Sequence, residues 1–336
     1  MKLSIAMATY NGENYIGQQL ESLRTQTRCA DEVVIVDDCS ADTTPNIIRT
    51  FIENNSLSNW KLTVHTKNQG CTRTFREALS LTTGDIIFLC DQDDVWLPDK
   101  IEKTANFMEE NPKIQMISCN FDFVDGQGYH TKVKHYSGFF KQRAAIIGYR
   151  IVGRGVCIRT PWFPPQIGRG CCCAVSRTLC DEYLAADILF MAHDAALSNL
   201  AALRDGLYFV NNIFIHCRVH SSNTSELGEV ARDFIKRQTT VDKNLQGFVE
   251  MQSHISKCEM LDERRREKHL QIMRFIVHLY ELRTAFLKHT TFKSFMQYVL
   301  NGFRTVWMFG GPWIKCKITF KTIARDVVIV LNRKWR

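Results

Sequence analysis

The stretch of residues 84–96, with the sequence GDIIFLCDQDDVW, constrains the fold more than any other. Its apolar run, Ile86 to Cys90, is too short for a helix and rich in β-branched and aromatic side chains, so it predicts a strand buried on both faces. The carboxylates of Asp91, Asp93 and Asp94 follow at once. Because like charges this close repel, they indicate a bound divalent cation such as Mg²⁺ or Mn²⁺, which takes oxygen ligands. The alternative is a solvated acidic turn that caps the next helix.

Short apolar runs alternate with helical segments along the N-terminal part of the chain. Strands are predicted at Leu3–Ala8, Val33–Val36, Leu62–His65 and Ile114–Cys119, with amphipathic helical stretches between them. This alternation is typical of βαβ units and predicts an α/β fold with a mainly parallel, Rossmann-like sheet flanked by helices. In such sheets the ligand crevice lies at the carboxyl ends of the strands, which is where Asp91 falls. Farther along, the segment around Asn211-Asn212 predicts a hairpin or an edge strand.

Thirteen cysteines in a chain of 336 residues could suggest a disulfide framework. The number is odd, the chain is long, and the opening residues MKLSIAMATYNG predict a strand and loop rather than a signal peptide. We therefore expect reduced thiols and a cytoplasmic protein. The Cys171-Cys172-Cys173 run lacks the Cys-x-x-Cys spacing that zinc sites use.

The net charge of +8 belongs to the C-terminal tail. Residues 292–336 contain nine Lys or Arg and one acid, whereas the rest of the chain is formally neutral. The tail also contains Trp307, Trp313 and Trp335. A basic, aromatic segment suits an anionic membrane surface, and the Gly310-Gly311-Pro312 sequence argues against a spanning helix. The alternative is a helix packed on the rest of the protein or on a homodimer partner. We expect no nucleic-acid partner.

Four motifs follow one another in the N-terminal part: ATYNGENYI, VVIVDDCSADTT, KNQG and GDIIFLCDQDDVWLPDKI. In this order and spacing they resemble the family-2 glycosyltransferases with the GT-A fold, of the rhamnosyltransferase-like kind. The resemblance implies a nucleotide-sugar-binding half at residues 1–125 and an acceptor-binding half at 126–228, which together form a catalytic domain, 1–228. Residues 229–336 would then form a helical C-terminal region that ends in the basic tail. The irregular segment 126–168 is either functional or an idle surface excursion.

The same resemblance implies roles for individual residues. Donor binding falls to Thr9, Tyr10, Asn11, Asp37, Asp38, Asn68, Asp91, Gln92 and Arg218. The metal would be held by Asp91, Asp93 and His220, and the Arg-x-His pattern of Arg218 and His220 suits a diphosphate and an ion. The acceptor would contact Trp96, Gly170, Cys171 and His193. Asp194 would be the general base, with an ordinary helix N-cap as the alternative role.

The function implied is inverting transfer of a sugar from a nucleotide-diphosphate sugar to a hydroxyl of a glycan or a lipid-linked saccharide. Such an enzyme would use Mg²⁺ or Mn²⁺ and serve cell-surface polysaccharide biosynthesis, in the cytoplasm or at the inner face of the membrane. One alternative is a nucleotidyltransferase that makes the sugar nucleotide, which would need a glycine-rich phosphate loop where this chain has Thr9-Tyr10-Asn11-Gly12. The other is an inactive nucleotide-binding or scaffolding protein, which would be favoured if the carboxylates were missing.

Overall fold

The computed structural model describes residues 1–131, 150–152, 157–159, 169–220, 234–289 and 291–308, together with Ile323, Asp326, Val327 and Val330. The chain divides into two compact units. The first consists of Met1–Asp187 and Ala192–Asn223, and the second of Ile188–Met191 and Thr224–Arg336. Most of the segment 126–168 lies outside the described residues, so its role stays a prediction.

Among the residues that the structure describes, a mixed sheet of ten strands forms the centre of the first unit. The strands are β1 Leu3–Thr9, β2 Glu32–Asp37, β3 Trp60–Val64, β4 Ile86–Cys90, β5 Val95–Trp96, β6 Met116–Val124, β7 Arg150–Val152, β8 Cys157–Arg159, β9 Cys173–Ser176 and β10 Leu207–Arg218. Their order is β3-β2-β1-β4-β9-β6-β10-β8-β7, with β5 beside β10. Strands β1 to β4 form a parallel block, whereas β9 runs antiparallel between β4 and β6.

Helices cover this sheet and explain its apolar strands. They are α1 Ile16–Arg24, α2 Thr44–Asn54, α3 Cys71–Ser80, α4 Lys100–Glu110, α5 Arg177–Ala185 and α6 His193–Leu203, with a short 3-10 helix, Gly170–Cys172, before β9. Every residue of β4 is buried, as a continuous apolar run between two helical layers requires. The predicted α/β fold with a Rossmann-like parallel sheet flanked by helices is confirmed.

The prediction of a hairpin or an edge strand around Asn211-Asn212 is wrong. The segment belongs to β10, one strand of 12 residues that lies between β6, to which it is parallel, and β8. Its register shifts between Val210 and Ile213 and again between Ile213 and Ile215, so the asparagines lie in an irregularity of the strand. A pair of asparagines is tolerated in a turn and in a bulge alike, which is why the sequence suggested the turn.

The described part of the second unit is helical. It contains α7 Phe234–Lys257, α8 Glu263–His289 and α9 Phe292–Met308. Asp326, the one acid of the tail, is fully buried here and accepts hydrogen bonds from Arg237 (2.9 Å), Arg283 (2.7 Å) and the Tyr298 hydroxyl (2.9 Å). Part of the tail therefore packs on α7, α8 and α9.

Among the helices that the structure describes, none combines the length and the apolar character needed to cross a bilayer. Trp313 and Trp335 lie outside the described residues, so contact of the tail with a membrane surface stays a prediction.

Candidate active site

A buried carboxylate joins the loops that follow β1 and β2. Asp37 is 0% exposed and accepts hydrogen bonds from the Thr9 hydroxyl (2.7 Å) and the Ser40 N–H (2.8 Å). Asn11 adds a second connection, because its N–H donates to the Ser40 hydroxyl oxygen and its side-chain oxygen accepts from the Ala41 N–H, both at 2.8 Å. Three predicted donor residues, Thr9, Asn11 and Asp37, thus lie together and shape the loops, and Asp37 offers no exposed oxygen to a ligand.

Asp38 orders the turn that precedes α3. Its carboxylate accepts from the N–H groups of Gln69 (2.7 Å) and Gly70 (2.8 Å) and lies 3.0 Å from His65 Nδ1. Glu77 lies 2.8 Å from the other ring nitrogen of His65. Burial acts to raise the pKa of Asp38, but these hydrogen bonds hold it below its usual range. Burial acts to lower the pKa of His65, but its bonds to the two carboxylates raise it.

Gln92 connects the first loop to the acidic stretch. Its side-chain oxygen accepts from the Tyr10 N–H at 2.7 Å, and its amide nitrogen donates to the Tyr10 carbonyl at 2.9 Å. A Cβ at Gly12 would lie 2.3 Å from the same oxygen, so this pair of hydrogen bonds requires glycine at position 12. The Tyr10 side chain itself is 47% exposed, which leaves its ring able to stack on a flat ligand.

Asp93 and His220 meet although 127 residues separate them in the chain. His220 Nε2 lies 2.9 Å from Asp93 Oδ2, and the His220 ring packs 4.4 Å from that of Tyr15. Asp91 lies on the same turn, where burial and the charge of Asp93 raise its pKa well above the usual range. The structure therefore brings two of the predicted metal ligands, Asp93 and His220, into contact, whereas the possible ligand atoms grouped with Asp91 within 4.8 Å are those of Asp94 and Cys171. Two carboxylates and an imidazole fit Mn²⁺ better than Mg²⁺, which favours oxygen ligands alone.

Arg218 does not face this crevice as the sequence predicts. Its side chain is 1% exposed, and its guanidinium donates to the carbonyls of Asp93 (2.9 Å), Asp125 (3.1 Å) and Gly126 (3.2 Å). Its own N–H donates to the Asp94 carboxylate at 3.0 Å. In this structure the guanidinium thus acts as a clamp that holds the backbone of the acidic turn, and its contact with a diphosphate stays a prediction.

Asp194 lies in the first turn of α6, with its Oδ1 accepting from the Ala195 N–H at 2.8 Å. The N-cap of this helix is Ala192, so the alternative role of Asp194 as an N-cap is not what the structure shows. A Cβ at Gly170 would lie 2.9 Å from His193 Nε2 and 3.3 Å from the Asp194 Cβ, so glycine is needed for this close approach. The Asp194 charge also acts to raise the pKa of Asp91.

His193 is the first residue of α6, and its side chain packs inward. Its ring stacks on Phe75, with the centroids 3.9 Å apart, and its side chain is 7% exposed. Burial lowers the pKa of His193, although the charge of Asp194 acts in the opposite direction, so a neutral imidazole is favoured. Of the predicted acceptor residues, His193 and Gly170 therefore lie beside Asp194.

The other two predicted acceptor residues lie in the core. Trp96 is 2% exposed, and Lys100 Nζ lies 4.1 Å from the centre of its ring. Cys171 is 0% exposed, with its sulfur 3.9 Å from that of Cys217. Neither side chain reaches the surface, because β5 and the 3-10 helix turn both inward. In this structure both side chains contribute to packing, and their contacts with an acceptor stay a prediction.

Two residues that sequence reasoning overlooked belong to the site. The Arg169 guanidinium lies over the rings of Phe121 (5.9 Å) and Phe123 (5.5 Å), and its charge acts to lower the pKa of Asp91. Its neighbour Gly170, a predicted site residue, was the available signal. The other residue is Cys71, at the start of α3.

Cys71, at the start of α3, is exposed. Desolvation by the atoms around its thiol, and then the charges of Asp91, Asp194 and Asp38, raise its pKa to about 12. The thiol is therefore within reach of the charges of both parts of the site. Asn68 lies three positions earlier in the chain, and its amide donates to the Asp38 carbonyl at 3.3 Å.

The fold and the site define an α/β protein with a ligand crevice at the carboxyl edge of its parallel strands, furnished with a carboxylate–imidazole pair and a second carboxylate. The family model described as Glycosyl transferase family 2 matches residues 4–184, more than half of the chain. The chain therefore belongs to glycosyl transferase family 2.

Curated relatives match the N-terminal part. An uncharacterized glycosyltransferase of Nostoc sp. is 29% identical over 126 residues, which cover 38% of this chain and 38% of the relative. The putative glycosyltransferase EpsH of Bacillus subtilis is 32% identical over 119 residues, or 35% of this chain and 33% of the relative. The chain thus spans between a third and a half of the length of such relatives.

Solved structures share the fold over nearly the whole chain. S. aureus TarS 1-349, in complex with UDP-GlcNAc, has a TM-score of 0.58 at 18% identity and covers 90% of this chain and 79% of its own. The mannosyltransferase PcManGT from Pyrobaculum calidifontis, in complex with GDP-Man and Mn²⁺, has a TM-score of 0.55 at 16% identity and covers 99% and 87%. At these identities the likeness establishes the fold.

Proposed function

We propose that this protein is a glycosyltransferase that uses a nucleotide-diphosphate sugar and a divalent cation, and transfers the sugar with inversion to a hydroxyl of a glycan or a lipid-linked saccharide. The observation that carries the proposal is the contact of Asp93 with His220, on the same turn as Asp91. It supports a cation site there, and the effect of the Asp194 charge on Asp91 supports a base beside it.

Asp91, Asp93 and His220 would hold the cation, and Mn²⁺ is the ion that suits their mixed oxygen and nitrogen donors. When bound, such an ion neutralises the charge that develops on a leaving diphosphate. The PcManGT complex, which contains Mn²⁺ and a nucleotide sugar, is consistent with this choice. Mg²⁺ remains the alternative to compare in the assay.

The nucleoside side of the crevice would be formed by the loops that Asp37, Asp38 and Gln92 order. The exposed Tyr10 ring is suited to stacking on the base, while the loop backbone and Asn68 are suited to polar contacts. Here the carboxylates of Asp37 and Asp38 contribute by fixing the loops, since protein donors already occupy them.

Asp194 would act as the general base. Its carboxylate would take the proton of the acceptor hydroxyl as the hydroxyl oxygen bonds to the anomeric carbon and the bond to the diphosphate breaks. A single displacement of this kind, with one carboxylate base, inverts the anomeric centre. Gly170 keeps the approach to Asp194 open, and neutral His193 supports it.

Arg169 would provide the cation that the sequence assigned to Arg218. Its guanidinium is held over two aromatic rings and its charge acts on Asp91, so it lies near the place where a diphosphate would leave. A fixed cation there stabilises negative charge in the transition state.

The test combines two variants with a matched control. Asp93→Asn should abolish Mn²⁺-dependent donor binding, measured by calorimetry with UDP- and GDP-sugars. Asp194→Asn should leave donor binding near normal and reduce transfer by about 10²-fold or more, the usual range for a general base. Asp181→Asn, at an acid whose side chain is 61% exposed on α5, is the control. Full transfer by Asp93→Asn, or in excess chelator, would remove the cation from the mechanism. Collapse of donor binding in Asp194→Asn with saturated turnover preserved would remove the base role.

The basic tail supports a peripheral position at an anionic membrane, where a lipid-linked acceptor of polysaccharide synthesis would be met. Each base near such a surface contributes about 1 kcal/mol, and salt screens the contact.

Truncation is a poor test because it removes Asp326 and leaves Arg283 buried without its carboxylate. Charge reversal is a cleaner test. The test variant changes three bases of the tail to Glu: Lys315, Lys317 and Lys321. The control variant changes three exposed bases of the first unit to Glu: Lys61, Arg73 and Lys113. Equal, salt-insensitive sedimentation of both with anionic vesicles would refute the peripheral position and favour a packing or dimer role.

A further inference from the structure

Two adjacent strands place an acid and a histidine side by side, away from Asp93. Asp122 of β6 and His216 of β10 are partners in the register of the parallel pair. Side chains alternate along a strand, and Phe121 and Phe123 contact Arg169, so Asp122 projects from the opposite face of β6. This face has no part in the catalytic proposal.

A third residue returns to the same place through a tight turn. His130 forms an antiparallel bridge with Val124 near the end of β6, and the turn is closed by the Asp125 N–H, which donates to the Tyr129 carbonyl at 2.9 Å. The rings of His130 and His216 lie at 87° with their centroids 4.9 Å apart. The turn thus brings His130 next to His216.

The possible ligand atoms of Asp122, His130 and His216 all lie within 4.8 Å of one another. His216 Nδ1 is buried, and no described residue forms a hydrogen bond with it. A buried imidazole nitrogen without a partner is costly, and a bound cation would satisfy it. His130 is exposed, so an ion could reach the cluster from solvent.

We propose that Asp122, His130 and His216 form a binding site for a divalent transition cation of the Zn²⁺ type, separate from the catalytic cation site. Two imidazoles and one carboxylate are ligands that such ions use, with water at the remaining position. Around a tetrahedral ion with bonds of about 2.0–2.1 Å, neighbouring ligand atoms lie about 3.3–3.4 Å apart. The three side chains therefore need to close by at most about 1.5 Å, which rotation of the exposed His130 can supply.

The site would fasten the turn that follows β6 to β10. That turn is also held by Arg218, which donates to the carbonyls of Asp125 and Gly126 and, on its other side, to the carbonyl of Asp93. A cation at the cluster would therefore stabilise the support of the acidic turn without touching the donor. We expect a bound cation to raise the stability of the protein and to order the turn.

The test uses the full chain with Asp93→Asn, so that the catalytic site does not compete. Zn²⁺ binding is measured by calorimetry and by the shift in Tm, and Co²⁺ is used as a spectroscopic probe of the ligands. One equivalent of Zn²⁺ should bind and raise Tm. His130→Ala, at an exposed position where folding is not at risk, and Asp122→Asn should each weaken binding by more than the ~10-fold that loss of a supporting contact typically costs.

The control is His278→Ala, which removes a histidine that is 55% exposed on α8. Zn²⁺ affinity that is the same in His130→Ala and Asp122→Asn as in this control would overturn the proposal. A thiolate charge-transfer band with Co²⁺ would also overturn it, because it would place the ion on the buried cysteines Cys119, Cys171, Cys172 and Cys217.

Discussion

The sharpest prediction concerns Arg218, to which sequence and structure give different roles. Arg218→Met keeps much of the length of the side chain but removes the charge and every donor. The carbonyls of Asp93, Asp125 and Gly126 would lose their bonds, at 2.9, 3.1 and 3.2 Å, inside a region where the arginine is 1% exposed.

The magnitude follows from the number and burial of these bonds. Hydrogen bonds to a charged group contribute about 1.5–3 kcal/mol each but are not additive, and each buried carbonyl left without a donor costs about 1–3 kcal/mol, so we take about 3–5 kcal/mol for the loss of the three bonds. At roughly 2–4 °C per kcal/mol for a unit of this size, the Tm of Arg218→Met should fall by roughly 6–20 °C. Mn²⁺ binding, measured well below the Tm, should weaken because the backbone at Asp93 loses its support.

Arg76→Met is the matched control. Arg76 also donates to carbonyls, those of Tyr183 (2.9 Å) and Ala186 (3.1 Å), but on α3 and away from the acidic turn. It should lower Tm and leave Mn²⁺ binding intact. A normal Tm for Arg218→Met in the absence of donor, together with a large rise in donor Kd, would refute the clamp and restore the predicted diphosphate contact.

Three further predictions concern other supports of the fold. Gly12→Ala should weaken donor binding, because its Cβ would collide with the Gln92 side chain that holds the Tyr10 loop. Gly17→Ala is the control: a Cβ there meets no atom within 4 Å and lies in a helix, so it should be neutral or stabilise by up to about 1 kcal/mol. Calorimetry measures donor binding by the two variants, and thermal unfolding measures their stability. Because the pKa of His65 is raised, its pairing with Asp38 and Glu77 stabilises the folded protein fully below about pH 6.5. This stabilisation is lost as pH rises through the folded-state pKa of His65. The Tm difference between the wild type and His65→Gln should therefore shrink with rising pH, and a constant difference would contradict the pairing. Asp326→Asn should destabilise the helical unit by about 3–5 kcal/mol, measured by denaturant unfolding, since it leaves the buried Arg283 and the partly buried Arg237 without their carboxylate.

The sequence was sufficient wherever a pattern was local. The run from Ile86 to Cys90 is apolar without alternation, which only a strand covered on both faces explains, and the structure has that strand in the middle of the sheet. The position of Asp91 and Asp93 at its end followed from the fold class. The contact between Asp93 and His220 was expected from a resemblance, and no local pattern would have revealed it.

The sequence was insufficient where burial depends on distant segments. In the sequence, Arg218 looks like a ligand-binding cation. Its partners in the structure are backbone carbonyls, which every residue possesses and no motif marks. Trp96 looks like a surface aromatic beside a site, but pairing of β5 with β10 turns it into the core. Arg169 became visible only when the rings of Phe121 and Phe123 were seen beneath it.

The position of Asp93 is determined chiefly by the end of β10. Its carboxylate contacts His220 and its carbonyl accepts from Arg218, two residues of one short segment. The N–H of Arg218 also donates to Asp94, so both acids that follow Gln92 are bound to that segment. A substitution that shifts β10 would therefore displace the candidate cation site even if Asp91 and Asp93 were untouched. This is why the irregularity of β10 near Asn211-Asn212, upstream on the same strand, matters for the chemistry: it sets the register in which β10 delivers Arg218 and His220 to the acidic turn.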